Sequence, residues 1–165
     1  MDNMKRISLI ITCVLLLLAV GCSNEPDTFI GNQEKPTTWT VPDDYDMTTS
    51  MTAIVKVDLS LTYPEQMKSV SDTVQLLSEN DLLAAFVDST CLGVAQFVEG
   101  LFFLYITTPA GEASSLTNHQ SVTLRYYSAY FKNTFEALDA FPFANDTQQG
   151  TVSQPFKPEF LLIKE

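Results

Sequence analysis

The chain has 165 residues, 45% of them apolar, enough for one domain with a real core and too few for two ordinary ones. Nine basic against 20 acidic residues give a net charge of −11, which excludes a nucleic-acid partner, since phosphate binding needs a basic patch. A single histidine excludes His-rich metal sites and argues against His-based catalysis.

Lys5 and Arg6 precede an apolar run, Ile7 to Val20, broken only by Ser8 and Thr12. A basic start, a short apolar stretch and small residues at its end make a secretory signal. The run is shorter than the ~20 apolar residues of a membrane span. Met4-Lys5-Arg6 is a more natural start than Met1-Asp2-Asn3. At the end of the run, Ala19-Val20-Gly21-Cys22 resembles the lipobox of bacterial lipoproteins, with Ala19 where that family usually has Leu. The resemblance implies that residues 1–21 are cleaved as a lipoprotein signal peptide and that Cys22 carries diacylglycerol and an N-acyl chain. Several acyl chains, at ~0.8 kcal/mol per buried methylene, hold a protein on a membrane without a spanning helix. The membrane is thus the first expected partner, through the lipid on Cys22. Cys13 leaves with the signal and Cys22 is lipidated, so Cys91 has no thiol with which to form a disulfide.

Residues 22–38 are expected to be the lipidated Cys and a disordered tether, poor in apolar residues and carrying Pro26 and Pro36. Glu25 and Asp27, close behind Cys22, resemble the acidic export tag of surface lipoproteins of Bacteroidota-type bacteria, although the tag there is denser. The resemblance implies lipid anchoring in the outer membrane, at the cell surface in preference to the periplasmic face.

The domain is expected to span 39–165. Trp39 opens it ahead of an acidic turn, Asp43-Asp44-Tyr45-Asp46. Its indole either caps the bottom of the core or offers a platform for a sugar. From Met51 the period is two: Ala53, Val55, Val57, Leu59 and Leu61 share one face, which predicts a half-buried strand ended by Pro64. Residues 65–71 are a loop or one helical turn, and 72–77 a weak strand. Leu82 to Val87 is apolar on both faces and predicts a central strand. Residues 91–98 run back, Glu99-Gly100 turns, and Leu101 to Thr107 alternates Leu101, Phe103 and Tyr105 against Phe102, Leu104 and Ile106. These three strands are expected to form a meander. After a loop at 109–120, a strand over 121–131 sets Val122, Leu124 and Tyr126 against Arg125, and 134–141 returns. Residues 145–154 are a second loop, and 160–163 a last strand. About eight short strands without a convincing helix predict an all-β fold, an antiparallel β-sandwich, Ig-like or a partly open barrel.

A second resemblance runs from Trp39 to the C-terminus. Asn80-Asp81-Leu82-Leu83-Ala84-Ala85-Phe86-Val87 followed by Cys91-Leu92-Gly93-Val94-Ala95 looks like a motif of small β-sandwich modules in secreted and lipid-anchored bacterial proteins. Those modules continue with segments like Val122–Tyr127 and Phe143–Asp146. Leu92 stands where the family commonly has Arg. The resemblance implies a non-catalytic accessory module.

Candidate chemistry is sparse. Asp43, Asp44 and Asp46 are a possible Ca²⁺ set, carboxylates suiting a hard cation. Tyr45 splits them, and a solvated acidic turn is the default. Cys91 lacks an activating base nearby and reads as a buried hydrophobe. His119, near Ser114, Ser115 and Ser121, sits in a polar loop. Glu79 and Asp81 would need a deep cleft to act as a glycosidase pair. No catalytic residue and no cofactor is therefore expected. Tyr105, Tyr126, Tyr127, Tyr130, Phe131 and Phe135 cluster around two strands, and alternation sends about half of them outward. Trp39, Tyr105 and Tyr127 are the ligand-binding candidates. Two functions follow: a lipid-anchored binding or adhesion module for a glycan or protein partner, or a structural subunit of an envelope assembly with no soluble ligand. An outward aromatic patch beside a groove would favour the first, and a long unpaired edge strand the second.

Overall fold

The computed structural model describes residues 29–41, 43–68, 70, 76–109 and 120–163. The expected signal peptide, Cys22 and His119 lie outside them. Two facing sheets form an antiparallel-rich β-sandwich, and neither closes on itself.

The first sheet is built on two long strands, β1 (Tyr45–Val55) and β5 (Leu101–Pro109), antiparallel partners in register from Ser50↔Thr107 to Val55↔Phe102. Their alternation drives the packing. Met51, Ala53 and Val55 face inward opposite Phe102, Leu104 and Ile106, and all six are buried. A short helix, α1 (Pro64–Lys68), follows β1.

The second sheet centres on β2 (Leu82–Val87) and β6 (Ser121–Ser128), again antiparallel, with Leu82 opposite Tyr127 and Phe86 opposite Thr123. β3 (Thr90–Val94) and β7 (Asn133–Ala137) flank them, and β10 (Phe160–Leu162) pairs with β7. Leu83, Ala85, Val122, Leu124, Tyr126 and Phe160 fill the space between the sheets. The remaining strands are β4 (Gln96–Val98), which pairs with β5, β8 (Phe141–Pro142), which pairs with β6, and β9 (Gln148–Gln149), which lies parallel to β1.

Among the described residues ten strands form where about eight were expected: two expected strands break, one expected loop contributes, and the weak strand expected at 72–77 is not among them. β1 begins at Tyr45, not Met51, and its ladder stops at Val55, not Leu61. Beyond it Val57 and Leu59 stay buried, while Lys56 N donates to Phe156 O at 2.8 Å and Leu61 turns out to solvent. β6 ends at Ser128, where a turn with Lys132 at φ 49° tucks Phe131 into the core. The return strand splits into β7 and β8. The weak strand expected at 72–77 falls mostly outside the described residues, and Leu76 and Leu77 are not in a strand.

The expected meander does not form. The run 91–98 divides at Ala95, whose N–H donates to Leu83 O at 2.8 Å. β3 stays with β2, whereas β4 crosses to the first sheet and pairs with β5. Gly93 permits the crossing, since a Cβ there would lie 2.4 Å from Tyr105 O. The two-residue turn into β5 has Glu99 at φ 50° and Gly100 at φ 82°, the left-handed pair that tight hairpins require.

Residues 29–38, expected to belong to the tether, lie on the domain instead. Phe29 stacks on Tyr63, Phe131 and Phe135, with centroids 4.7, 4.6 and 5.8 Å away. Gly31 N donates to Phe131 O at 2.7 Å and Gln33 N to Lys132 O at 3.0 Å, while Asn133 Nδ2 donates to Phe29 O at 2.6 Å. A Cβ on Gly31 would lie 1.9 Å from Asn133 Oδ1. Low apolar content did not leave this segment free, because one half-buried ring and hydrogen bonds hold it.

Candidate functional site

The outer face of the six-stranded sheet is crossed by this N-terminal strap. β2 is apolar on both faces, as expected, and its outer residues Ala84 and Phe86 form a small second cluster with Cys91. Trp39 does not cap the bottom of the core. It lies on this outer face, edge-on to Phe86 with centroids 5.5 Å apart. The Arg125 guanidinium stands 4.6 Å over the same ring, and its Nε donates to Glu136 Oε2 at 2.9 Å. Gln33, Glu34 and Trp39 on the strap, with Arg125 and Glu136 on the sheet, line a groove of about 550 Å³. Its one cation is therefore held by a ring and a carboxylate, and its indole already packs. Tyr127, a binding candidate, is buried beneath the strap and donates to Gln33 O at 3.0 Å. Burial, then the charges of Asp81 and Glu34, raise its pKa.

Half of the expected aromatic stripe is core. Tyr126, Phe131 and Phe135 are buried. The Tyr126 hydroxyl donates to Asp81 Oδ2 at 2.7 Å, and burial, then that carboxylate, raises its pKa far above the ordinary tyrosine value. Asp81 also accepts from Ser78 N at 3.0 Å and Ala129 N at 2.9 Å. It ties the turn before β2 to the end of β6, while Glu79 is exposed. The two carboxylates do not share a site. Cys91 is free and buried, and burial raises its thiol pKa, which disfavours the nucleophilic thiolate.

Among the described residues no segment covers the outer face of the four-stranded sheet. Tyr105 is 42% exposed, and its hydroxyl donates to Ser50 Oγ at 3.0 Å, which fixes the ring. Phe103 lies two residues back on the same face, with Gln96 and Ile54 as its cross-strand neighbours. Thr52 stands between Tyr105 and Gln148. These six residues line a groove of about 360 Å³ whose walls carry no charged side chain. A smaller hollow of about 300 Å³ shares Thr52 and Gln148 and adds Asp146 at the far end. β9 is held there by Thr52 N donating to Thr147 O at 3.0 Å and Asp146 N donating to Ser50 O at 2.9 Å. Gly150 completes the corner at φ 75°, where a Cβ would lie 2.6 Å from Ile54 O.

Sequence alternation placed Phe103 on the same face as Tyr105, and burial of Phe102, Leu104 and Ile106 in the structure shows that this face turns outward. Alternation could not find Gln148, which a strand of two residues delivers from a segment read as loop. Asp43 and Asp44 are exposed, the Asp46 side chain lies outside the described residues, and among the described residues no group of three or more acidic, His or Cys side chains could hold a metal ion. Compared with family models, curated proteins and solved structures, the chain has no match.

Proposed function

We propose that this chain is a non-catalytic binding module, anchored by lipid on Cys22 in the outer membrane and facing outward, that holds a neutral glycan on the open face of its four-stranded sheet. The observation that carries this reading is Tyr105: a solvent-facing ring, locked by Ser50, beside a second ring and amides at positions 96 and 148. Flat rings take the C–H faces of a sugar, and amides and hydroxyls take its hydroxyl groups. In a chain of net charge −11, an uncharged groove suits an uncharged ligand. A protein partner would need about 800 Å² of interface on this side with apolar anchors. Among the described residues the face exposes only Tyr105 and Val98 as large apolar side chains.

The alternative, a structural subunit recruited through a strand edge, has less support. The long strands β1, β5 and β6 are interior to their sheets, and the edge strands β3, β4, β9 and β10 have five residues or fewer. No helix among the described residues is long and apolar enough to cross a membrane, and the lipid on Cys22 supplies attachment in this reading.

The test is a glycan array with the Cys22→Ser chain, then calorimetric titration with the neutral oligosaccharide that binds best. Tyr105→Ala should weaken that binding at least ~10-fold, roughly the stacking contribution of one ring, while Tyr105→Phe retains most of it. Binding that survives Tyr105→Ala would move the site elsewhere, and an array silent for neutral glycans would end the proposal.

A further inference from the structure

One end of the sandwich is closed by aromatic rings: Phe29 against Tyr63 at 4.7 Å and against Phe131 at 4.6 Å. Three large apolar side chains flank this cluster and face water. Ile30, 57% exposed, follows Phe29, and Leu61, 54% exposed, precedes Tyr63 by two residues. Tyr130, 38% exposed, stands edge-on to Phe131 at 4.9 Å. They are three of the eight large apolar side chains exposed among the described residues, and Lys132 lies beside them in an exposed position. An aliphatic and tyrosine rim with a lysine nearby is the composition that sits at a membrane–water boundary.

We propose that this end of the domain rests on the membrane, with Ile30, Leu61 and Tyr130 in the headgroup layer. The proposal rests on the lipidation of Cys22. It follows from the length of chain between anchor and domain. Had the tether run to residue 38, the domain could drift about 60 Å from the lipid in any orientation, at ~3.5 Å per residue. Because the strap pins Phe29, only residues 23–28 separate the lipidated Cys22 from the fold, a reach of at most about 25 Å. The chain leaves β1 at Val55 and runs through Leu59 to Tyr63 in the ring cluster, so Tyr45 marks the opposite end. β1 alone measures about 36 Å at ~3.3 Å per residue, more than the leash can pass around. The Tyr45 end, with exposed Asp43 and Asp44, therefore points away from the bilayer. The Ile30 end lies within reach of it, and burying its apolar rim in the interface is favourable. The occupant of this patch is a lipid surface.

The experiment compares hydrogen exchange of the full acylated chain in vesicles of phosphatidylethanolamine and phosphatidylglycerol with that of the Cys22→Ser chain in solution. Amides in 30–32, 60–62 and 129–131 should slow at least ~10-fold on the vesicle, and those at 43–44 and 88–89 should not change. The triple variant Ile30→Glu, Leu61→Glu, Tyr130→Glu alters only exposed positions. It should stay vesicle-bound through its lipid and return to solution rates. A vesicle-bound wild type without slowing, or slowed alike at both ends, would overturn the seating and leave the anchor intact. Slowing without vesicles that grows with protein concentration would assign the patch to a second copy of the chain and also overturn it. A chain with no fatty acid on Cys22 would remove the anchor and the seating together.

Discussion

The two outer faces of the sandwich present similar residues and treat them in opposite ways. On the six-stranded side, Trp39 meets Phe86 edge-on, Arg125 lies over the Phe86 ring and is paired with Glu136, and the strap that carries Trp39 lies across this face. On the four-stranded side, Phe103 and Tyr105 stand in a groove that the described residues leave open. A face that mattered only for stability would be expected to be covered, because an exposed aromatic patch forgoes burial energy and invites association. The contrast separates a face that holds the fold from one that is kept available.

The largest expected effect breaks the covered face. Phe86 is 3% exposed and touches both Trp39 and Arg125, so Phe86→Ala should lose ~3–5 kcal/mol in thermal or denaturant unfolding, from transfer and cavity contributions together. Cys91 is free, so no disulfide backs up the described residues, and that is a large share of a usual 5–15 kcal/mol. A variant that melts within a few degrees of wild type would show that the cluster does not support the sheet.

Next is the hydrogen bond under the core. Tyr126→Phe should cost ~1–3 kcal/mol at pH 7, because Asp81 loses a buried donor. The pH dependence has a definite sign. The folded pKa of Tyr126 is raised above its unfolded value of about 10, so the stability it carries is whole below pH ~10 and is lost as pH rises toward the folded value. Wild-type Tm should fall above pH 10, and Tyr126→Phe should show a lower Tm at pH 7 with a shallower fall beyond pH 10. Equal alkaline slopes would show that this hydroxyl is not what titrates.

Gly31→Ala sharpens the comparison by lifting the strap, since the added methyl group would overlap Asn133 Oδ1 and the Lys132 carbonyl. Overpacking of this kind costs ~1–3 kcal/mol. Proteolysis between 29 and 39 should accelerate while glycan affinity on the opposite face holds. Loss of affinity in this variant would tie the two faces together. Smallest in stability is Tyr105→Ala, within ~0.5–1 kcal/mol for a ring this exposed, measured by the same melt. It is the variant in which binding should fail while the fold stands.

Period-two alternation is a local property, and it carried far here. Ala53, Val55, Val57 and Leu59, and Val122, Leu124 and Tyr126, could be assigned to one face from their own strands, whereas Leu82–Val87 and Leu101–Thr107 are apolar on both faces and left open which face turns inward. Periodicity says which side of its own strand a residue takes, and nothing about what lies above that side. Tyr127 and Tyr105 both point outward from their sheets, yet one is sealed under Gln33 and the other faces water. The strap has no periodicity to read, and its partners are mostly carbonyls and amides that any sequence carries. The division of 91–98 between two sheets likewise depends on a close approach at Gly93 that only the assembled sandwich creates. Sequence by itself determined the all-β class, the approximate place of the long strands, the inward faces of β1 and β6 and the lipobox-like expectation for Cys22, because each is written in neighbouring residues. Tertiary structure decided which outer face is covered, how short the leash to Cys22 is and where Gln148 meets Tyr105's groove, because those depend on contacts between segments far apart in the chain.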